Sequence, residues 1–150
     1  MIDSKIKQSM DFQELTNKDG YYFTVYVGGT AGATSGNYGR FATVRYPIQI
    51  LRIDEIHEVL GTDAGAVTLD VVVVPNGSAI SAGTSLLAST FSLKSTINTL
   101  QIKEKRNLST AVRMVEPNQS LALKTSGTLT AVAGVCVTVY YKPYAKGSYK

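Results

Sequence analysis

Val67-Thr-Leu-Asp-Val-Val-Val-Val-Pro-Asn-Gly-Ser78 decides the fold class. Val67, Leu69, Val71 and Val73 fall on one parity, Thr68 and Asp70 on the other, which is the two-residue period of a strand with one buried face. Pro75-Asn-Gly-Ser78 then reverses the chain, because Asn-Gly accepts the positive φ of a tight turn. The same signals recur outward from here. Downstream, Leu121 and Leu123 alternate with Ala122 and Lys124 before Ser126-Gly127. Val135, Val137, Val139 and Tyr141 alternate with Cys136, Thr138 and Tyr140. Upstream, Tyr21–Val27 is a β-branched and aromatic run bounded by Gly20 and Gly28.

Arg40–Tyr46 and Ile48–Leu60 are two further candidate strands, separated by Pro47, which cannot donate to a ladder. Within the second, Ile50 and Ile56 oppose Leu51, Ile53 and Val59 in parity, which predicts a bulge or bend near Asp54-Glu55. Ser85–Leu93, Ile97–Lys103 and Ala111–Val115 are shorter candidates. No stretch after residue 20 holds ten residues of helical period. About eight strands with turns every 8–12 residues predict an all-β, jelly-roll-like two-sheet β-sandwich.

That sandwich is placed over residues 21–145, with a Gly-rich loop at 28–39 and a short C-terminal tail at 146–150. The loop carries five glycines and is expected to be mobile and to bury nothing. It lacks the Gly-Lys-Ser/Thr ending of a phosphate cradle. Residues 1–20 read as an arm: Ile2, Ile6 and Met10 recur every four residues and Leu15 follows. That amphipathic helical pattern is too short to stand alone. It is either a partly ordered terminus or an extended or partly helical arm that anchors on a neighbour.

The 150 residues, 44% hydrophobic and 17% charged, suit one globular domain. The longest apolar run, Val71–Pro75, predicts no membrane span, and Met1–Met10 has no apolar core of a secretory signal. The net charge of +4 divides into −3 over residues 1–75 and +7 over 76–150, a polarity that suits packing against copies of itself or an acidic neighbour. A nucleic-acid partner is not expected: only Lys103-Glu104-Lys105-Arg106 is a cluster, read as a solvated loop.

Chemistry is sparse. The lone histidine, His57, shares a face with Glu55, but no nucleophile motif accompanies it, so a sheet-surface or interface position is expected. Asp54, Glu55, Glu58, Asp63 and Asp70 offer carboxylate pairs, yet Trp, the usual platform for sugars, is absent. Asp63 in Thr-Asp-Ala-Gly reads as a turn residue rather than a calcium ligand, since no second acid is near. Cys136 reads as a packing residue, and Asn76, Asn107 and Asn118 as chance sequon matches. No enzyme activity, cofactor or metal is expected. Tyrosine is the abundant contact residue, nine in two end clusters. Tyr22, Tyr26 and Tyr140 sit on parities opposite the inferred core, and with Tyr144 they are the candidate subunit interface.

Five segments together resemble a group of small tailed-bacteriophage virion proteins: Gly61–Asp70, Gly83–Leu87, Phe91–Thr99, Ser120–Leu123 and Ser126–Val139. The shared running order is a Gly-Thr-Asp-Ala-Gly turn, a Leu-Leu segment and a Gly-Thr-Leu-Thr-Ala strand, covering residues 45–142. The resemblance implies a capsid decoration, auxiliary or head-fibre module, commonly trimeric, with a major capsid protein or another virion protein as partner. Its place would be the virion, assembled in the bacterial host cytoplasm. The first forty residues fall outside the pattern, and Gln119 replaces the Gly-Asp often found before the Leu-Ala-Leu strand. A receptor- or carbohydrate-binding module of a tail or head fibre is the alternative, and a portal or neck connector stays open.

Overall fold

A computed structural model describes residues 21–28, 32–110 and 112–144. The arm residues Ile2, Ile6, Met10 and Leu15 and the tail at 146–150 lie outside the described residues. Ten strands follow in chain order: β1 (Tyr21–Val27), β2 (Arg40–Thr43), β3 (Ile48–Ile56), β4 (Thr68–Val74), β5 (Thr84–Ser85), β6 (Phe91–Ser92), β7 (Gln101–Glu104), β8 (Met114–Val115), β9 (Ser120–Ser126) and β10 (Val135–Pro143).

They form two antiparallel sheets. One runs β1-β10-β3-β7 with β8 also on β3; the other runs β2-β9-β4-β5 with β6 also on β4. The pairs β1·β10, β2·β9, β3·β7 and β4·β5 are nested, each first-half strand matched with its counterpart from the second half. That is one long antiparallel ribbon, folded at β4–β5 and rolled so that successive rungs alternate between sheets. The result is the jelly roll.

The alternation read from the sequence places the core. Val67, just before β4, and Leu69, Val71 and Val73 on it join Val135, Val137 and Val139 of β10 in one core between the sheets, all at 3% exposure or less. Each such side chain contributes roughly 1.5–3 kcal/mol by leaving water. β4 is also covered behind: Val72 and Val74 join Ala122 in a second cluster beneath Ile80. This two-sided burial accounts for the unbroken valine run. At the Pro75–Ser78 turn, Gly77 adopts φ +79° and the Ser78 amide donates to the Pro75 carbonyl.

Four expectations are corrected. The parity change in β3 occurs at Leu51, three residues before Asp54: Tyr140 pairs with Arg52 and Tyr141 with Ile50, leaving Leu51 as the extra residue of a bulge. The Gly-rich loop contributes to the core, since Ala33 and Tyr38 are buried. Ser85–Leu93 is not a continuous strand, because the Ser85 hydroxyl receives the Leu87 amide at 3.0 Å and both Leu86 and Leu87 turn inward. His57 is fully buried rather than at the surface.

Candidate functional surface

The outward face of the β1-β10-β3-β7 sheet is assembled by register. Tyr22, Tyr140, Arg52 and Glu104 form one row across four strands. Thr24, Thr138, Asp54 and Ile102 form the next, and Tyr26, Cys136 and Ile56 a third. Within the rows, the Tyr22 and Tyr140 rings lie 6.2 Å apart and the Thr24 and Thr138 hydroxyls 3.3 Å apart. Arg52 grips Asp54 in a fork, Nε to Oδ1 at 2.6 Å and Nη2 to Oδ2 at 2.7 Å. Its guanidinium also lies 5.6 Å from the Tyr140 ring centre. The hydrogen bond to Asp54 raises the Arg52 pKa, and Asp54 is almost covered.

This face is apolar where it meets water. Tyr22 is 66% exposed, Tyr26 57% and Ile102 42%, and the only charges among the three rows are the internally paired Arg52 and Asp54 and the rim residue Glu104. Three of the four sequence-selected tyrosines, Tyr22, Tyr26 and Tyr140, therefore share one surface. Tyr144 lies beyond the end of β10, its amide donating to the Pro47 carbonyl at 2.9 Å, so the ladder does not align it with them. Arg52 and Asp54 were missed in the sequence because the Leu51 bulge reverses the parity count in β3, and Ile102 because the short β7 offers too few residues for an alternation to show. The remaining tyrosines near this end point the other way: Phe23 stacks on Tyr141 at 4.5 Å beside a notch of about 170 Å³ that Arg45 and Tyr46 help to line.

The other polar constellation is internal. Glu55 and His57 share a face as expected, but that face is the interior, where both are fully buried. His57 Nδ1 donates to Glu55 Oε1 at 2.9 Å and Nε2 to the Ser95 carbonyl at 3.3 Å. Gln101 Nε2 donates to Glu55 Oε2 at 2.5 Å and to the Ser92 carbonyl at 2.8 Å. The Glu55 carboxylate raises the His57 pKa against the opposing pull of burial, which favours the imidazolium. In that form neither nitrogen has a lone pair with which to take a proton from a nucleophile. The pair fastens the 95–101 segment onto β3. Nearby, burial and the Glu55 charge push the Tyr38 hydroxyl up to about 12, and burial foremost, with Glu55, raises the Cys136 thiol. Cys136 is thus kept from its reactive thiolate.

No three or more His, Cys, Asp or Glu side chains among the described residues stand together as metal ligands. At the Asp63 turn, the Lys94 ammonium donates to the Asp63 carbonyl at 2.8 Å and to the Gly65 carbonyl at 3.0 Å. The chain's own cation holds that turn. No helix among the described residues is long and apolar enough to cross a membrane.

Fold and surface together define an all-β two-sheet sandwich with a tyrosine-bearing outer sheet face. No family model matches the chain, and no curated protein matches it in sequence. Solved structures similar to the chain include two from phage capsids. A chain of the capsid of Ralstonia phage GP4 superposes with a TM-score of 0.52 at 12% identity, covering 85% of this chain and 88% of that one. A chain of the cyanophage Pam1 capsid asymmetric unit gives 0.49 at 19% identity, with 81% and 82% covered.

Proposed function

We propose that this chain is a structural component of a phage virion, a decoration or auxiliary module that acts through protein–protein contacts on the capsid. The observation that carries the reading is the outer sheet face, whose exposed Tyr22, Tyr26 and Ile102 surround an ion pair already satisfied within the chain. A surface of that kind gains more from a protein partner than from a charged ligand, because desolvating it leaves no unpaired charge. The jelly roll shared with a chain of the Ralstonia phage GP4 capsid agrees with such a place. The partner is a major capsid protein or another virion protein. Tyr22, Tyr26 and Tyr140, expected from the sequence to form a subunit interface together with Tyr144, are assigned here to that contact with the capsid; the chain itself is proposed as a homo-oligomer, with a trimer favoured by the sequence resemblance. Ile2, Ile6, Met10 and Leu15 are assigned to anchoring.

Co-sedimentation of the purified chain with capsids of its own phage tests this. Full-length protein should pellet with the capsids, and a Tyr22→Ala, Tyr140→Ala double variant should bind at least about tenfold more weakly, as loss of two aromatic contacts implies. Deletion of residues 2–20 should lower occupancy further. A chain that never pellets with capsids contradicts the proposal, and unchanged occupancy of the deletion removes the arm from the mechanism.

A further inference from the structure

We infer that β1 pairs edge to edge with β1 of a second copy, antiparallel and centred on Thr24. β1 is the terminal strand of its sheet, hydrogen-bonded on one side to β10. Every second residue of such a strand directs its N–H and C=O away from its neighbour. Among the described residues, no backbone hydrogen bond takes up those groups between Tyr21 and Val27.

Exposed edges are normally guarded by charge, proline, a bulge or brevity. The other three edges of the sandwich are guarded in these ways. β7 carries Lys103 and Glu104, β2 begins at Arg40 and shifts register between Arg40 and Ala42, and β5 and β6 are two residues each. β1 alone is seven residues long with no charge, no proline and no register shift along β10. Among the described residues nothing covers this edge.

Its sequence selects the occupant. In Tyr-Tyr-Phe-Thr-Val-Tyr-Val, Tyr22 and Tyr26 are identical and equidistant from Thr24, and each of the other two symmetric pairs sets an aromatic residue against a valine. A two-fold axis there sets Thr24 against its own copy, Tyr22 against Tyr26 and Phe23 against Val25. Outward tyrosines meet tyrosines, and the inward Phe23 meets Val25, both of which pack on the core of their own copy. The pairing keeps each residue on its proper face, which a shift by one residue would not. With no charge on either strand, two identical copies approach without repulsion. The contact lies in the plane of the sheet, so the outward tyrosine faces stay available to a capsid. It does not depend on the virion assignment, and it links subunits in pairs whatever other symmetry they share.

Disulfide trapping in the full chain, in a Cys136→Ser background, tests both contact and register. Paired antiparallel residues have Cα atoms about 4.5–5.5 Å apart, within the span of a disulfide. Thr24→Cys should therefore give a covalent two-chain product on mild oxidation. Tyr22→Cys should not, because its own copy would lie roughly 13 Å away along the ladder. Thr24→Lys, on an exposed position, should weaken pairing at least about tenfold by placing two ammonium groups on the axis, with circular dichroism confirming the fold. A single-chain product from Thr24→Cys overturns the proposal. So does equal trapping by Tyr22→Cys, a pairing unmoved by Thr24→Lys, trapping that appears only after deletion of residues 2–20, or trapping only to a different virion protein.

Discussion

At the residue scale, the pair Glu55–His57 separates what spacing reveals from what it hides. The i, i+2 relation shows that the two share a face. Which face depends on Leu51, an apolar residue that fits either side of the sheet, so the hydrophobic pattern shows that the parity changes but not at which residue. The acids at 54 and 55 read as a solvent break, yet only Asp54 faces outward, and Glu55 turns inward to a partner supplied by Gln101 from another strand. His57→Ala strands that carboxylate without its cation and should cost about 3–5 kcal/mol, read from urea denaturation. A pH effect follows from the raised His57 pKa. The folded chain holds the proton where the unfolded chain, near pH 6.5, has begun to release it. The pair's contribution is therefore complete below about pH 6.5 and is lost as pH rises through the folded-state value. Melting temperature should fall on going from pH 6 to pH 9, and His57→Gln should flatten that slope.

At the element scale, the strands with clean alternation, β1, β4, β9 and β10, were the plainest in the sequence; β4, β9 and β10 lie inside their sheets and β1 at an edge. β8 falls within the candidate Ala111–Val115, whereas β5 and β6 were read as parts of the single candidate Ser85–Leu93, because side-chain hydrogen bonds such as Ser85 to Asp70 at 2.7 Å, rather than a period, shape that segment. The Gly-rich loop misled for a related reason: composition describes its freedom, while burial of Tyr38 comes from the sheets on either side. Two substitutions probe how tightly the elements close. Phe91 is fully buried on β6, and Phe91→Ala should cost about 3–5 kcal/mol by leaving a cavity between the sheets. Gly127 sits at φ +90°, where an added Cβ would run into the Ala66 carbonyl. Gly127→Ala should destabilise by at least about 2 kcal/mol, from the backbone conformation and the displaced turn together. Thermal unfolding monitored by calorimetry checks both.

At the scale of the whole molecule, the rolled ribbon disperses the polarity read along the chain. Because first-half strands pair with second-half strands, acidic and basic blocks become neighbours: Arg52 beside Glu104, Asp70 beside Lys124. Sequence halves of −3 and +7 therefore do not become two charged ends, and the proposed capsid contact should be apolar in character. Its affinity should change less than about threefold between low and moderate salt, since screening acts on exposed charges and the rows of this face carry only the internally paired Arg52 and Asp54 and the rim residue Glu104. Nesting also orders the chain in time. Partners at the fold of the ribbon are close in sequence, whereas Thr24 and Thr138, on the outermost rung, lie 114 positions apart. Loop closure favours the inner rungs first, so the ladder should zip outward from β4–β5. Among the described strands, the one synthesised first is thus the last to find its place. Until β10 leaves the ribosome, Tyr21–Val27 lacks the ladder partner it has in the finished fold, and in that interval newly made copies are most exposed to sticking to one another.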